Sequence, residues 1–187
     1  MKKKVLALAL VVICLSIVAY GTTAYLSYEV TEHVATAGNV RIDLEELAIL
    51  SEGEAPVEFT NPNDIVPGTS VSKIVQVKNT GYGTAWIRLD LRKEIILADG
   101  VEGEIDLSLV SYKINEEYWM EKDGWFYYLK PLASGETTEP IFTEVSFSAN
   151  MSNIYQKSQS KIHVFAHAVQ TANNGETVFD AAGWPEA

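Results

Sequence analysis

Apolar and polar residues alternate with a period of two along most of the segment from Ile65 to Arg92. This period predicts β-strands that place one face on a core and the other in water. The glycines in Asn79-Thr80-Gly81-Tyr82-Gly83 interrupt the alternation and offer positive-φ positions for a chain reversal, and Pro67-Gly68 marks a turn before the first run. We therefore predict a long antiparallel hairpin at the centre of an all-β domain, with an apolar face formed by Val71, Val75, Val77, Ala85, Ile87, Leu89 and Leu91.

The same alternation recurs towards both ends of the chain. Residues 25–34 carry Leu26, Tyr28 and Val30 at alternate positions, and residues 39–44 repeat the pattern. Residues 161–169 form a further predicted strand. Its inward positions are Ile162, Val164, Ala166 and Ala168, and its outward positions are His163, Phe165 and His167.

Shorter signals predict how the remaining segments are built. Asp123-Gly124 lies between two aromatic-rich runs and predicts a two-residue hairpin. Residues 57–59 predict a short edge strand, because the neighbouring prolines disfavour a central one. The alternation shifts phase at Leu109-Val110, which fits either a bulge or a helical turn. In the tail, residues 177–182 predict one helical turn that the following glycine and proline end.

The first 24 residues have the pattern of a secretory signal peptide. Lys2-Lys3-Lys4 precedes an apolar run, and small residues at Thr22 and Ala24 predict cleavage between Ala24 and Tyr25. The alternative is an uncleaved membrane anchor, but the run from Val5 to Tyr20 is shorter than the roughly 20 residues that a spanning helix needs. The predicted organisation is a signal peptide (1–24), a mature N-terminal segment (25–36) and a β-sandwich domain (37–187).

Charge and cysteine content exclude several classes of function. The chain has 14 basic and 25 acidic residues, a net charge of −11, and such a protein repels nucleic acid and anionic membranes. Its single cysteine, Cys14, lies in the predicted signal peptide. The mature chain is therefore expected to use neither disulfides nor a cysteine nucleophile. We expect no nucleic-acid partner, and no membrane span after processing.

Histidines and acidic residues are the candidate metal ligands. The helical zinc motif H-E-x-x-H is absent, and His163 and His167 are four positions apart, which on a strand separates them by about 13 Å. His33 has no recognisable ligand spacing to either one. The run from Leu97 to Asp106 offers oxygen ligands for calcium but lacks the D-x-D-x-D-G order, so a solvated loop is the alternative. We expect no cofactor, no metal site and no enzymatic activity. The acidic side chains of this run are Asp99, Glu102, Glu104 and Asp106.

The aromatic residues around Asp123-Gly124 have two interpretations. Trp119, Trp125 and Tyr127 can form an exposed row that binds glycans or a partner chain. Alternatively, they pack against each other across the strands of their own sheet. The second interpretation is favoured, because cross-strand aromatic pairs are a usual way for sheets to be stabilised.

Three stretches together carry a resemblance to a known family. They are G-T-T-A-Y-L (Gly21–Leu26), T-A-G-N-V-R-I-D-L (Thr36–Leu44) and P-G-T-S-V-S-K-I-V-Q-V-K-N-T-G (Pro67–Gly81). In this order they resemble the TasA/camelysin family of secreted proteins from Gram-positive bacteria. The resemblance implies a jelly-roll-like antiparallel β-sandwich, processing by a signal peptidase of the SipW type, and a place in the biofilm matrix or in cell-surface fibres.

Two functions from different classes follow, with a third as an alternative. The first is a structural protein that assembles by β-strand addition, using Leu26, Tyr28 and Val30 of the segment released by cleavage. That segment can equally be the first strand of its own domain, and the sequence leaves both open. The second is a monomeric surface adhesin that uses the aromatic hairpin, and the third is a camelysin-like surface metalloprotease.

Overall fold

The computed structural model describes residues 27–37, 40–61 and 66–185, and the side chains of all of these except 27–32 and 37. In these residues nearly all of the regular structure is β-strand, with two 3-10 turns at Leu107–Leu109 and Asn153–Tyr155. The strands are β1 (Ser27–Ala37), β2 (Ile42–Ala48), β3 (Val57–Glu58), β4 (Ser70–Asn79), β5 (Ala85–Ile96), β6 (Val110–Tyr112), β7 (Trp119–Lys122), β8 (Trp125–Tyr128), β9 (Phe142–Phe147) and β10 (Gln159–Gln170).

These strands form two five-stranded sheets. Sheet I has the order β1-β10-β5-β8-β7, and sheet II has the order β3-β2-β4-β9-β6. Neighbouring strands are antiparallel throughout except for β1 and β10, which are parallel. The prediction of an all-β fold is confirmed, and the prediction of purely antiparallel sheets is wrong for this one pair.

The hydrophobic core lies between the two sheets. Sheet II contributes Val75 and Val77, and sheet I contributes Ile87 and Leu89, all of them fully buried. The four predicted inward positions of β10 are also fully buried. Because both sheets bury one face in a common core, the arrangement is sandwich-like. The period-two pattern therefore identified the core faces correctly.

The central hairpin, however, does not exist. β4 belongs to sheet II and β5 to sheet I, so the chain crosses from one sheet to the other through residues 80–84. Alternation could not distinguish the two arrangements, since a hairpin and a crossing both require strands with one buried face. The prediction was wrong about the connection and right about both strands.

The crossing is held by the buried side chain of Asn79. Its amide donates hydrogen bonds to the carbonyls of Gly83 (2.8 Å) and Leu132 (2.9 Å), and its carbonyl oxygen accepts from the Gly81 N–H (3.0 Å). Gly81 is required here for space, because a Cβ at this position would lie 2.6 Å from the Arg41 nitrogen. The predicted positive-φ role of Gly81 is thus incorrect. Such a role does apply at Gly68, where φ is +82°.

The shorter signals are largely confirmed. Asp123 and Gly124 have φ values of 52° and 80° and join β7 to β8 through a two-residue turn. The predicted edge strand is β3, which pairs with the end of β2. The phase shift before β6 is a helical turn, the 3-10 turn at Leu107–Leu109. Residues 177–182 form a turn closed by the Asp180 N–H on the Thr177 carbonyl (3.1 Å), without a helix.

One buried ion pair was not predicted. The Lys73 ammonium is fully buried beside a register shift in β4, where it pairs with the Glu46 carboxylate. It also lies 3.8 Å from the centroid of the Phe59 ring. Burial raises the pKa of Glu46. Burial of the Lys73 ammonium is possible because the Glu46 carboxylate and the face of the Phe59 ring replace part of its hydration.

Candidate assembly edge and C-terminal strap

β1 lies at the edge of sheet I and is the candidate for assembly. Its 11 residues pair in register with β10 from Ser27 opposite Gln159 to Ala37 opposite Val169. The other side of β10 pairs with β5, so β10 would be the edge of the sheet if β1 were absent. Within the described part of the chain, β1 has β10 as its one strand neighbour in the sheet. A row of backbone groups on its outer side is therefore free of strand pairing.

The predicted site residues fall partly on this strand. Ala24, Tyr25 and Leu26 lie outside the described residues. The backbones of Tyr28 and Val30 lie opposite Ser160 and Ile162, two buried positions of β10. The sequence leaves open whether this segment is donated to a neighbour or forms the first strand of its own domain. In the single chain it forms a strand of its own domain, paired with β10 at the edge of sheet I.

An aromatic stack on the outer face of sheet I joins β1 to β10. The His33 ring lies 4.4 Å from the ring of Phe165 on β10, with an interplanar angle of 7°. On the same Phe165 ring the Arg92 guanidinium sits 4.4 Å from the centroid. The sequence pattern predicts that Phe165 faces outward, but it does not predict that His33 packs on this ring. No local sequence signal indicates this contact, because the two residues become neighbours only through the pairing of β1 with the distant β10.

The histidines do not converge on one site. His163 lies with its Nε2 3.0 Å from a Glu94 carboxylate oxygen, and its ring is 6.3 Å from that of His33. His167 has other neighbours, Trp125 and Arg88. Among the described residues, no three side chains from His, Cys, Asp and Glu gather closely enough to hold a metal ion.

The acidic loop after β5 is exposed, and Asp106 at its end makes interactions that stabilise the adjacent turn. Asp106 caps the 3-10 turn by accepting a hydrogen bond from the Ser108 N–H (2.9 Å). Hydrogen bonding from the Ser108 side chain, and then from its N–H, holds the pKa of Asp106 below its usual range. The Asp106 N–H in turn donates to the Tyr155 hydroxyl (3.0 Å). The loop thus has a structural role for Asp106 that the sequence did not indicate.

The C-terminal residues 174–185, which we call the C-terminal strap, cover the outer face of sheet I. Val178 of the strap is buried with Trp86 of β5 and Val169 of β10. Around these residues pack Tyr127 of β8 and the strap residues Phe179 and Trp184. Sheet I therefore buries apolar side chains on both faces, one in the main core and one under the strap.

Arg88 is the centre of the contact between the strap and the sheet. Its guanidinium carbon lies 3.8 Å from the ring centroid of Trp125 and 4.7 Å from that of Trp184. One Nη donates to the carbonyl of Pro185 (3.2 Å) and lies 3.2 Å from Nδ1 of His167. Contact of a guanidinium with two indole faces is favourable because the aromatic faces carry negative charge density.

His167 is kept neutral in this position. Burial, and then the adjacent Arg88 charge, lower the pKa of His167 to about 4. A neutral imidazole can accept a hydrogen bond at Nδ1, so Arg88 is the donor. This arrangement was missed in the sequence, where His167 was expected to face outward into water.

The aromatic hairpin is largely used inside the protein. Trp119 is only 1% exposed; it packs on Tyr128 across the hairpin and donates from Nε1 to the Glu139 carbonyl (2.9 Å). Trp125 and Tyr127 are half-buried against Arg88 and the strap. Cross-strand packing, the favoured interpretation, is confirmed for Trp119.

The comparisons with known proteins add no relationship. No protein-family model, no curated protein and no solved structure matches this chain. In the part of the chain that the structure describes, no helix has the length and apolar character needed to span a membrane.

Proposed function

We propose that this protein is a secreted, non-enzymatic structural protein of the extracellular matrix or cell surface that forms fibres by β-strand addition. The proposal includes removal of residues 1–24 by a signal peptidase of the SipW type and a jelly-roll-like relation to the TasA/camelysin family. The leader pattern, the ordered motifs and the acidic composition support it. The observation that carries it is the position of β1 at the margin of sheet I.

β1 can be exchanged between copies without new chemistry. In the described part of the chain, β10 is its strand neighbour in the sheet, and the chain then continues to β2 in the other sheet. A neighbour's β1 on the same β10 edge would recover the same register, the same row of backbone hydrogen bonds and the same stack of His33 on Phe165. Exchange therefore changes connectivity and leaves the local contacts the same.

Repetition of this exchange gives a fibre. Each copy donates β1 to one neighbour and accepts a β1 from another, so the contact is heterologous. A heterologous contact forms an open filament unless its rotation closes a ring. The long strand and its in-register partner give this contact a defined direction, since β1 and β10 run parallel.

Paired cysteines test whether β1 is exchanged. His33 and Phe165 are direct partners in the register, and neighbouring strands are about 4.8 Å apart, within the range that a disulfide bridges. We would introduce His33→Cys and Phe165→Cys in a Cys14→Ser background, and oxidise the protein before and after assembly. Dilute protein should give an internal disulfide, and assembled protein should give a ladder of covalent oligomers on non-reducing gels.

The matched control places the cysteines between strands that stay in one chain. His163 and Arg92 are partners on β10 and β5, so cysteines there should give internal disulfides in both states. If assembled protein with the β1–β10 pair also contains only internal disulfides, strand exchange is refuted. A protein that stays monomeric at all concentrations would instead favour the adhesin alternative.

A further inference from the structure

Asn174 ties the C-terminal strap to the sheet. Its side-chain amide donates to the carbonyls of Gln170 and Ala182 (both 3.0 Å), and its carbonyl oxygen accepts from the Ala182 N–H (2.8 Å). The Asn174 backbone carbonyl accepts from Nε1 of Trp86 (3.1 Å). Asn174 therefore connects the end of β10 and the far part of the strap through its side chain, and the apolar cluster beneath through its backbone carbonyl.

The residue after Asn174 must be glycine. Gly175 has φ +83°, and a Cβ at this position would lie 2.8 Å from the Cβ of Asp180. Both the backbone conformation and the space exclude other residues. The fold of the strap thus imposes the dipeptide Asn-Gly, in which no side chain shields the backbone nitrogen that follows the asparagine.

We propose that Asn174 is a self-modification site whose deamidation releases the strap irreversibly. The Gly175 nitrogen attacks Cγ of Asn174, a new C–N bond closes a succinimide, and ammonia leaves with the proton of the Gly175 N–H. Water then adds to one imide carbonyl and opens the ring to aspartate or isoaspartate. The net change is asparagine plus water to an acid plus ammonia, and no enzyme or oxidant is needed.

The closed strap restrains this reaction. The three side-chain hydrogen bonds fix the Asn174 amide on Gln170 and Ala182, so Cγ is not free to turn towards the Gly175 nitrogen. A cavity of about 400 Å³ lined by Asn173, Asn174 and Gly183, among others, gives water access to the site. The rate of deamidation therefore follows the fraction of molecules in which the strap is open.

The product cannot restore the closed state. An acid at position 174 has lost both N–H donors and, once ionised, places negative charge against the carbonyl oxygens of Gln170 and Ala182. Isoaspartate in addition lengthens the backbone at the turn. Detachment of the strap would expose the apolar side chains of Trp86 and Val169 on the outer face of sheet I. The inference is independent of strand exchange at β1, because it concerns another part of the sheet.

The first experiment measures where and how fast the protein deamidates. Purified wild-type protein and a Trp184→Ala variant, which loses the contact with Arg88, are incubated at mildly alkaline pH and digested for mass spectrometry. Asn174 should deamidate about tenfold faster in the variant, because loss of a large packed side chain opens the strap. Asn150, which precedes Met151, should react equally slowly in both proteins. Equal rates at Asn174 in the two proteins would overturn the proposal.

The second experiment tests the product directly and does not depend on the first variant. In Asn174→Asp, hydrogen exchange of the indole N–H groups is followed by NMR. Trp86 and Trp184 donate to carbonyls of the strap and should exchange faster than in wild type, whereas Trp119, which donates to Glu139, should be unchanged. Unchanged exchange at Trp86 would show that the acid leaves the strap in place and would refute the proposal.

Discussion

Acid should destabilise this protein through His167. The imidazole is 3% exposed, lies beside the Arg88 guanidinium and packs on the Trp125 ring at 4.6 Å. Among the described residues, Asp90 is the carboxylate that favours its protonation, and burial and Arg88 outweigh it, lowering the pKa of His167 to about 4. Between about pH 6.5 and 4, the unfolded chain binds a proton on this residue that the folded chain does not bind.

The size of the effect follows from these two pKa values. The stabilisation by neutral His167 is complete above about pH 6.5 and decreases as the pH falls towards 4. From a folded pKa of about 4 and an unfolded value of 6.5, the free energy of unfolding should fall by about 2 kcal/mol between pH 7 and pH 5. Burial raises the pKa of Glu46, which acts in the opposite direction, since the folded chain then binds the extra proton.

Urea unfolding of wild type and His167→Asn at pH 7 and pH 5 isolates this contribution. Asparagine keeps an acceptor near the position of Nδ1 but does not titrate. Between pH 7 and pH 5, the free energy of unfolding of the variant should therefore fall by about 2 kcal/mol less than that of wild type. Contributions from Glu46 and other groups are common to both proteins and cancel in the comparison. If the two proteins lose the same free energy within about 0.5 kcal/mol, the reasoning is refuted.

Three further predictions concern other parts of the chain. Gly81→Ala should lower the free energy of unfolding by about 2–3 kcal/mol because its Cβ meets the backbone, whereas Gly83→Ala, with nothing within 4 Å, should change it little; similar losses in urea unfolding would contradict this. Lys73→Met should lower the free energy of unfolding by about 3–5 kcal/mol, because it leaves the Glu46 carboxylate buried and unpaired. Adding Glu46→Leu should recover most of that loss, and no recovery in the double variant would count against the ion pair. Ala24→Leu should block removal of the leader, seen as accumulation of precursor, and N-terminal sequencing that finds wild-type cleavage elsewhere would refute the predicted site.

The strands could be predicted from sequence, but the way they connect could not. Alternation identified the buried faces of β4, β5 and β10, because successive side chains of a half-buried strand point alternately to the core and to water. The glycines and asparagine between β4 and β5 predict a hairpin, because these residues are typical of reversals. The crossing from one sheet to the other depends on contacts of Asn79 with Leu132 and of Gly81 with Arg41. Both contacts join residues that are far apart in sequence.

The candidate assembly edge was predicted in part, and the strap was not. The alternation of residues 25–34 predicted a strand, but its partner β10 is distant in sequence and parallel, and no local pattern reports such a pairing. Trp86 alternates with the predicted inward positions of β5, and the sequence pattern does not show that a later segment covers it. Nor does the pattern show that Trp125 and Arg88 bury the outward position His167. Asn174 acquires its role only when the strap has folded over the sheet.

The pairing of β1 with β10 also sets an order in time. Among the described strands, β1 is synthesised first and β10 last. The partner strand of β1 in its own chain therefore becomes available only after almost the entire domain has been synthesised. During that interval, a completed copy nearby can offer a finished β10. Pairing of β1 with this neighbouring strand, whose rate rises with the concentration of copies, then competes with the later pairing of β1 and β10 in the same chain, which must close a long loop. A crowded site of synthesis would then favour linked copies and a sparse one would favour closed monomers, from the same sequence and the same contacts.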